Sequence, residues 1–165
     1  MSGLIAGEKA IAVLNACRRA GIMLATAESC TGGLIVAALT DIAGSSDVVD
    51  RGFVTYSNEA KEEMIGVPAP LIARVGAVSQ EVALAMAAGA LAHSRGGVSV
   101  AVTGVAGPGG GSPEKPVGLV HIAAMRKNGA ARHRECRFGD IGRDDIRHAT
   151  VSAALDLVLE MVEGD

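Results

Sequence analysis

Short apolar runs of strand length alternate with longer stretches of helical period along this 165-residue chain, and that alternation confines it to α/β architectures. Ala6–Arg19 carries apolar residues at helical spacing and Gly21 is a stop signal. Ile22–Ala27 is a short apolar strand, and a helix resumes over Thr31–Leu39. After a polar loop at Asp41–Asp50 comes a strand over Gly52–Tyr56, a helix over Asn58–Ile65 closed by Gly66, and a helical turn at Pro68–Arg74. Ser79 opens a strong helix to about His93. Val98–Thr103 is a Val-rich buried strand, followed by a Gly/Pro loop over Val105–Pro116. Val117–Met125 and Ala131–Phe138 flank Asn128-Gly129, the strongest short-range hairpin signal. A last helix runs from Asp140 to about Val162. The pattern predicts a three-layer α/β/α sandwich with a mixed, mostly parallel sheet and one late hairpin. Length fits one domain over residues 1–165, on a prior of about 150 residues per domain, with no repeat and no linker.

Composition narrows the class. With two Phe, one Tyr and no Trp, the core is built from Ala, Val, Leu, Ile and Met. Net charge is −3, and there is neither the basic stripe nor the stacking aromatics that nucleic-acid binding uses; no direct nucleic-acid partner is expected. The only local basic excess, Arg132–Arg137, reads as a solvated strand face. Three cysteines, Cys17, Cys30 and Cys136, are no disulfide framework. Met1–Ala10 shows no secretory pattern, and the uncharged stretch Gly96–Pro113 is too rich in glycine for a membrane helix. A cytoplasmic protein without membrane contact is expected. The Ala- and Gly-rich helices suit close packing between copies, so a homo-oligomer is expected.

In such sheets ligands bind beyond the carboxyl ends of the strands, which draws attention to two loops, Glu28–Gly33 and Gly104–Gly118; with Phe53 to Lys61, which joins a strand to a helix, three segments carry candidate chemistry. Thr26-Ala27-Glu28-Ser29-Cys30-Thr31-Gly32-Gly33 crowds two hydroxyls and a thiol beside two glycines at a strand-to-helix turn. Amides at a helix start can hold a developing oxyanion, and Ser29 has the chemistry of a nucleophile; on the plainer reading, Ser29 or Thr31 caps the helix. Cys30 is a rival nucleophile, or simply a buried thiol. The second segment, Phe53 to Lys61, sets Tyr56 and Lys61 five residues apart. Lys61 is a general base if burial lowers its pKa, or an exposed ion-pair partner. The third, Thr103 to Gly118, matches neither the dinucleotide-binding nor the P-loop pattern, and is either a ligand-approaching loop or a flexible surface one. His93, His121, His133 and His148 have no zinc-site spacing. Arg143 and Arg147, four apart, can bind phosphate or face solvent.

Several motifs carry a resemblance. Residues 26–33 (Thr-Ala-Glu-Ser-Cys-Thr-Gly-Gly), 56–61 (Tyr-Ser-Asn-Glu-Ala-Lys), 76–79 (Gly-Ala-Val-Ser), 102–111 (Val-Thr-Gly-Val-Ala-Gly-Pro-Gly-Gly-Gly) and 114–118 (Glu-Lys-Pro-Val-Gly) resemble, in order and spacing, the CinA C-terminal domain family. The likeness spans about residues 8 to 160 and suggests the stand-alone form. It implies a nicotinamide-nucleotide amidohydrolase that converts nicotinamide mononucleotide to nicotinic acid mononucleotide and ammonia, in pyridine nucleotide recycling. It further implies Ser29 as nucleophile, Lys61 as base and Tyr56 as assistant, with no metal and no cofactor. Thr103 and Arg143 resemble family positions lining the substrate site, and Thr31, Gly32, Gly33, Asn58 and Gly104 complete the expected substrate-binding set. Two alternatives stay open: a non-catalytic nucleotide-binding module tied to competence or DNA damage, and an amidase with Cys30 as nucleophile.

Overall fold

Two apolar faces of one sheet organise the molecule. The computed structural model describes the backbone of residues 2–164 and side chains from residue 6; Met1 and Asp165, the ends of the expected domain, lie outside the described residues. The elements follow the order α1 (Ser2–Ala20), β1 (Leu24–Glu28), α2 (Leu34–Thr40), a 3-10 turn (Ser45–Asp47), β2 (Val49–Val54), α3 (Asn58–Ile65), α4 (Ala69–Val75), α5 (Gln80–Ala92), β3 (Val98–Gly104), β4 (Leu119–Arg126), β5 (Ala131–Arg137) and α6 (Arg143–Glu163). The sheet order is β2-β1-β3-β4-β5. β1 pairs in parallel with β2 and β3, whereas β3–β4 and β4–β5 are antiparallel. Four strands therefore share one direction and β4 alone opposes it.

Alternation along the strands sends side chains to opposite faces. Val98, Val100, Val102, Val120 and Ile122 meet α1, α2 and α6 in one core. Ala25, Ala27, Ala101 and Ala123 meet α3, α4 and α5 in the other. The alanines keep that second face shallow, so α5 lies close to the sheet, and its Gly89 touches α3 directly. A Cβ on Gly89 would stand 2.0 Å from the Ile65 carbonyl oxygen. Gly89→Ala is therefore expected to destabilise the fold by about 2–3 kcal/mol through overpacking, read as a lower urea midpoint, despite the better helix propensity of Ala.

Several boundaries differ from the sequence reading: α1 starts at Ser2 rather than Ala6, β1 at Leu24 rather than Ile22, β4 at Leu119 rather than Val117, and three more bear on the site. β2 starts at Val49 rather than Gly52. It is a half-exposed edge strand, so pairing with β1 decides its start and its polar beginning, Asp50-Arg51, hides the signal. α2 starts at Leu34 rather than Thr31, because Gly32 and Gly33 hold φ of +58° and +107°, a region that favours glycine and ends helical continuity. α6 starts at Arg143, after Gly142. The arginine cluster on β5 is tied in part to α6, where Arg134 and Arg132 both approach Glu160. His121 and His133, on β4 and β5, stack and share a 2.9 Å hydrogen bond. Among the described residues no helix is long and apolar enough to cross a membrane.

Candidate active site

The carboxyl ends of the three parallel strands lie side by side. Glu28 is in register with Val54 of β2 and Val102 of β3, and the Ser29 N–H donates to the Val102 carbonyl (3.1 Å) while the Thr55 N–H donates to that of Glu28 (2.9 Å). The residues that follow each strand thus meet: Ser29 after β1, Thr55 and Tyr56 after β2, and the 103–106 stretch from β3. A cavity of about 260 Å³ opens there, lined among others by Ser29, Cys30, Tyr56, Asn58, Lys61 and Arg143. Thr103 and Gly104 line it as well.

Lys61 reaches the cavity from α3. The helix begins at Asn58 because the Ser57 side chain accepts the Ala60 N–H, and ends at Gly66 in left-handed conformation. One turn on, Ile65 is buried in the core, and residues four apart share a helix face; Lys61 therefore points inward with it and is only 1% exposed. Its Nζ lies 2.9 Å from Ser29 Oγ, 2.8 Å from the Thr55 carbonyl oxygen and 3.3 Å from that of Tyr56. Burial lowers its pKa from 10.5 to about 8. The two carbonyls are obligate acceptors. A neutral amine gives them its two N–H groups and turns its lone pair to the Ser29 hydroxyl, which is the bonding pattern of a general base. The ion-pair reading of Lys61 is overturned, since no carboxylate contacts it among the described residues.

The turn that carries Ser29 is built around Glu28. Its side chain, with no exposed surface, accepts from Thr31 Oγ1 (2.6 Å), Thr26 Oγ1 (3.2 Å), and the N–H groups of Ile35 (2.8 Å) and Val36 (3.0 Å). The first-turn amides of α2 are thus taken by Glu28. Neither Ser29 nor Thr31 caps the helix, whose N-cap is Gly33 without a side-chain bond. Ser29, freed of that duty, faces Lys61. Thr31 is the converse case: its hydroxyl serves Glu28 and it does not line the cavity. Gly32 and Gly33 also lie off the cavity wall, because their positive φ turns the chain away toward α2. Glu28 is the residue that sequence reasoning missed, an acidic side chain closing an apolar strand before a Gly-Gly turn.

The remaining positions frame the opening. Tyr56 is exposed, and Arg143 links its phenol oxygen (3.3 Å) to the Gly107 carbonyl (2.6 Å). That bond draws the Gly-rich loop to the cavity rim. Thr103 Oγ1 donates to the Ala77 carbonyl (2.9 Å), fixing the opposite wall. Cys30 lines the cavity, but burial pushes its thiol up to about 11, so the nucleophilic thiolate is scarce at neutral pH.

The CinA C-terminal domain model matches residues 8–162. This chain belongs to the CinA C-terminal domain family. Within it, the chain is 50% identical over 142 residues to the nicotinamide-nucleotide amidohydrolase PncC of Escherichia coli K12, covering 86% of this chain and 85% of that one. It is 54% identical over 140 residues to a CinA-like protein of Citrifermentans bemidjiense, covering 84% of this chain and 33% of the relative. The chain spans about a third of the length of the CinA-like relatives it matches. Among solved structures, the competence/damage inducible protein CihA from Agrobacterium tumefaciens superposes with a TM-score of 0.94 at 56% identity, covering 95% of each chain. A Klebsiella pneumoniae structure described as competence damage-inducible protein A gives 0.91 at 33% identity, covering 97% of this chain and 99% of that one. The motifs at 26–33, 56–61, 76–79 and 102–111 supply every residue that lines the cavity except Arg143.

Proposed function

We propose that this chain is an amidohydrolase that cleaves the carboxamide of nicotinamide mononucleotide, releasing ammonia and nicotinic acid mononucleotide, in pyridine nucleotide recycling in the cytoplasm. The observation that carries the chemistry is the buried, pKa-lowered Lys61 amine 2.9 Å from Ser29 Oγ; the substrate class rests on the 50% identity to an enzyme named for it.

Lys61 takes the Ser29 proton as Oγ attacks the amide carbon, and the carbonyl oxygen becomes an oxyanion. The ammonium of Lys61 then protonates the amide nitrogen, the C–N bond breaks and ammonia leaves an ester on Ser29. Water attacks that ester, Lys61 accepts its proton, and the proton returns to Oγ as the acid departs. Tyr56, which lines the same cavity with its phenol held by Arg143 at the opening, assists the proton transfers. A backbone amide of the turn that carries Ser29 holds the oxyanion, a contact worth about 2.7–4 kcal/mol in comparable sites. The cavity is small beside the ~300–1,000 Å³ of sites that enclose whole ligands. The pyridine carboxamide therefore enters it, between Thr103 and Gly104 on one side and Asn58 on the other. The ribose phosphate stays at the rim with Arg143. The positive pyridinium further disfavours protonated Lys61.

The test is ammonia release from nicotinamide mononucleotide by the purified chain, with and without a chelator. Chelator-resistant turnover with stoichiometric nicotinic acid mononucleotide is expected. Tight nucleotide binding by folded protein without ammonia would overturn the reading in favour of a non-catalytic nucleotide-binding module.

A further inference from the structure

Arg147 of α6 lies outside the cavity lining, yet it grips the turn that holds the nucleophile. Its Nε donates to the Cys30 carbonyl and its Nη2 to the Thr31 carbonyl, both at 3.1 Å. No carboxylate pairs with it among the described residues, so the guanidinium fork is spent on two neutral oxygens. Arginine presents paired donors in a rigid plane, which suits two successive carbonyls better than a lysine does.

The consequence follows from peptide planarity. These peptides are trans, and a trans unit points its C=O and N–H in opposite directions. Anchoring the Thr31 carbonyl fixes the Gly32 N–H on the opposite side of that peptide. Gly32 N–H donates to the Ser29 carbonyl (3.0 Å), and that second anchor aims the Cys30 N–H away from it. The Ser29 N–H is consumed by Val102, and Leu34 N–H by Thr31. Among the described residues no backbone or side-chain oxygen accepts from the N–H of Cys30, which lines the cavity, whereas Thr31 has no exposed surface and does not line it. From below, Glu28 holds the same turn through the Thr31 hydroxyl.

We propose that Arg147 is a positioning residue that, by holding the Thr31 carbonyl and with it the Gly32 N–H on the Ser29 carbonyl, presets the peptide unit between Ser29 and Cys30, so that the Cys30 N–H is an oxyanion donor for the tetrahedral adduct on Ser29. This rests on the Ser29 reading above. Arg147 touches no substrate; it removes the cost of reorienting a peptide dipole during reaction, which is how preorganised donors act.

The experiment compares wild type, Arg147→Ala and Arg147→Lys in steady-state turnover of nicotinamide mononucleotide and of its riboside. It also measures inhibition by pyridine-3-boronic acid, which closes on a serine as a tetrahedral adduct, and binding of the product. For Arg147→Ala, kcat is expected to fall about 100-fold, the scale of a misplaced or lost oxyanion donor, with KM within about twofold. Boronate affinity should fall in parallel while product affinity holds. Arg147→Lys, which keeps the charge and reaches one carbonyl, should recover part of the loss, and it carries the test if Arg147→Ala fails to fold. An unchanged kcat overturns the proposal. So does a rise in KM confined to the phosphorylated substrate, which would make Arg147 a phosphate reader, or a fall in kcat with boronate affinity intact, which would make the effect general disruption. Ser29→Ala, run alongside, separates the two levels: if it stays active, the Ser29 reading itself fails, whatever Arg147 does.

Discussion

Ser29→Ala is expected to lower ammonia release from nicotinamide mononucleotide at least about 1,000-fold, while Cys30→Ala stays within about threefold of wild type. The contrast follows from where the two side chains sit. Both line the same cavity, but only Ser29 Oγ has a base within hydrogen-bond reach, the Lys61 amine at 2.9 Å. Cys30 is 6% exposed, and burial raises its thiol to about 11, so it is protonated at the pH where Ser29 is being deprotonated. Folding should be untouched by Ser29→Ala. Its hydroxyl does not cap α2, because Glu28 takes the N–H groups of Ile35 and Val36, and its backbone bond to Val102 does not involve the side chain. The check is a coupled ammonia assay beside urea unfolding for each variant. A fully active Ser29→Ala protein would remove the nucleophile assignment. Loss of activity on Cys30→Ala, or on alkylation of Cys30, would transfer the role to sulfur.

That two of the chemical segments lie at one end of the sheet was legible because each directly follows a predicted strand. The rule that ligands gather at carboxyl ends singles out the loops that hold Ser29 and Gly104, whereas Tyr56, Lys61 and Arg143 join them through the family resemblance. What stayed hidden was burial. A lysine in Asn-Glu-Ala-Lys-Glu-Glu reads as a solvated side chain, and only its four-residue spacing from Ile65 hints that it turns inward. Glu28 was hidden for a related reason. An acidic side chain with no exposed surface is rare unless it is paired, and here its partners are the amides of a helix that begins six residues later. Those amides become available only because Gly32 and Gly33 break the chain path that sequence periodicity would have continued as helix. Arg143 and Arg147 share a helix face as their spacing implied, yet they reach different loops, Arg143 to Gly107 and Tyr56, Arg147 to Cys30 and Thr31. Spacing along one helix cannot tell a phosphate clamp from a pair of carbonyl anchors, because the acceptors belong to other segments.

Lys61 is expected to write its pKa into both the activity and the stability of the protein. With the free-protein value near 8, kcat/KM should rise about tenfold between pH 7 and pH 9, as the neutral amine goes from a minor to the major form. The kcat profile, which reports the substrate complex, should turn over at lower pH, because the bound pyridinium pushes the amine further toward neutrality. Stability follows with a sign fixed by linkage. Unfolded Lys61 titrates near 10.5 and the folded residue near 8, so between those values the unfolded chain binds more protons and unfolding becomes less favourable as pH rises. Below about pH 8 both states are protonated and the desolvation cost of the buried ammonium is borne in full. In Lys61→Met this contribution is absent. Wild type is therefore expected to gain about 2–3 kcal/mol of unfolding free energy relative to Lys61→Met between pH 8 and pH 10.5, read as diverging urea midpoints, while the variant loses turnover at every pH. Parallel midpoints across that range would mean that Lys61 keeps its ordinary pKa when folded, and a base that stays protonated at neutral pH cannot activate Ser29.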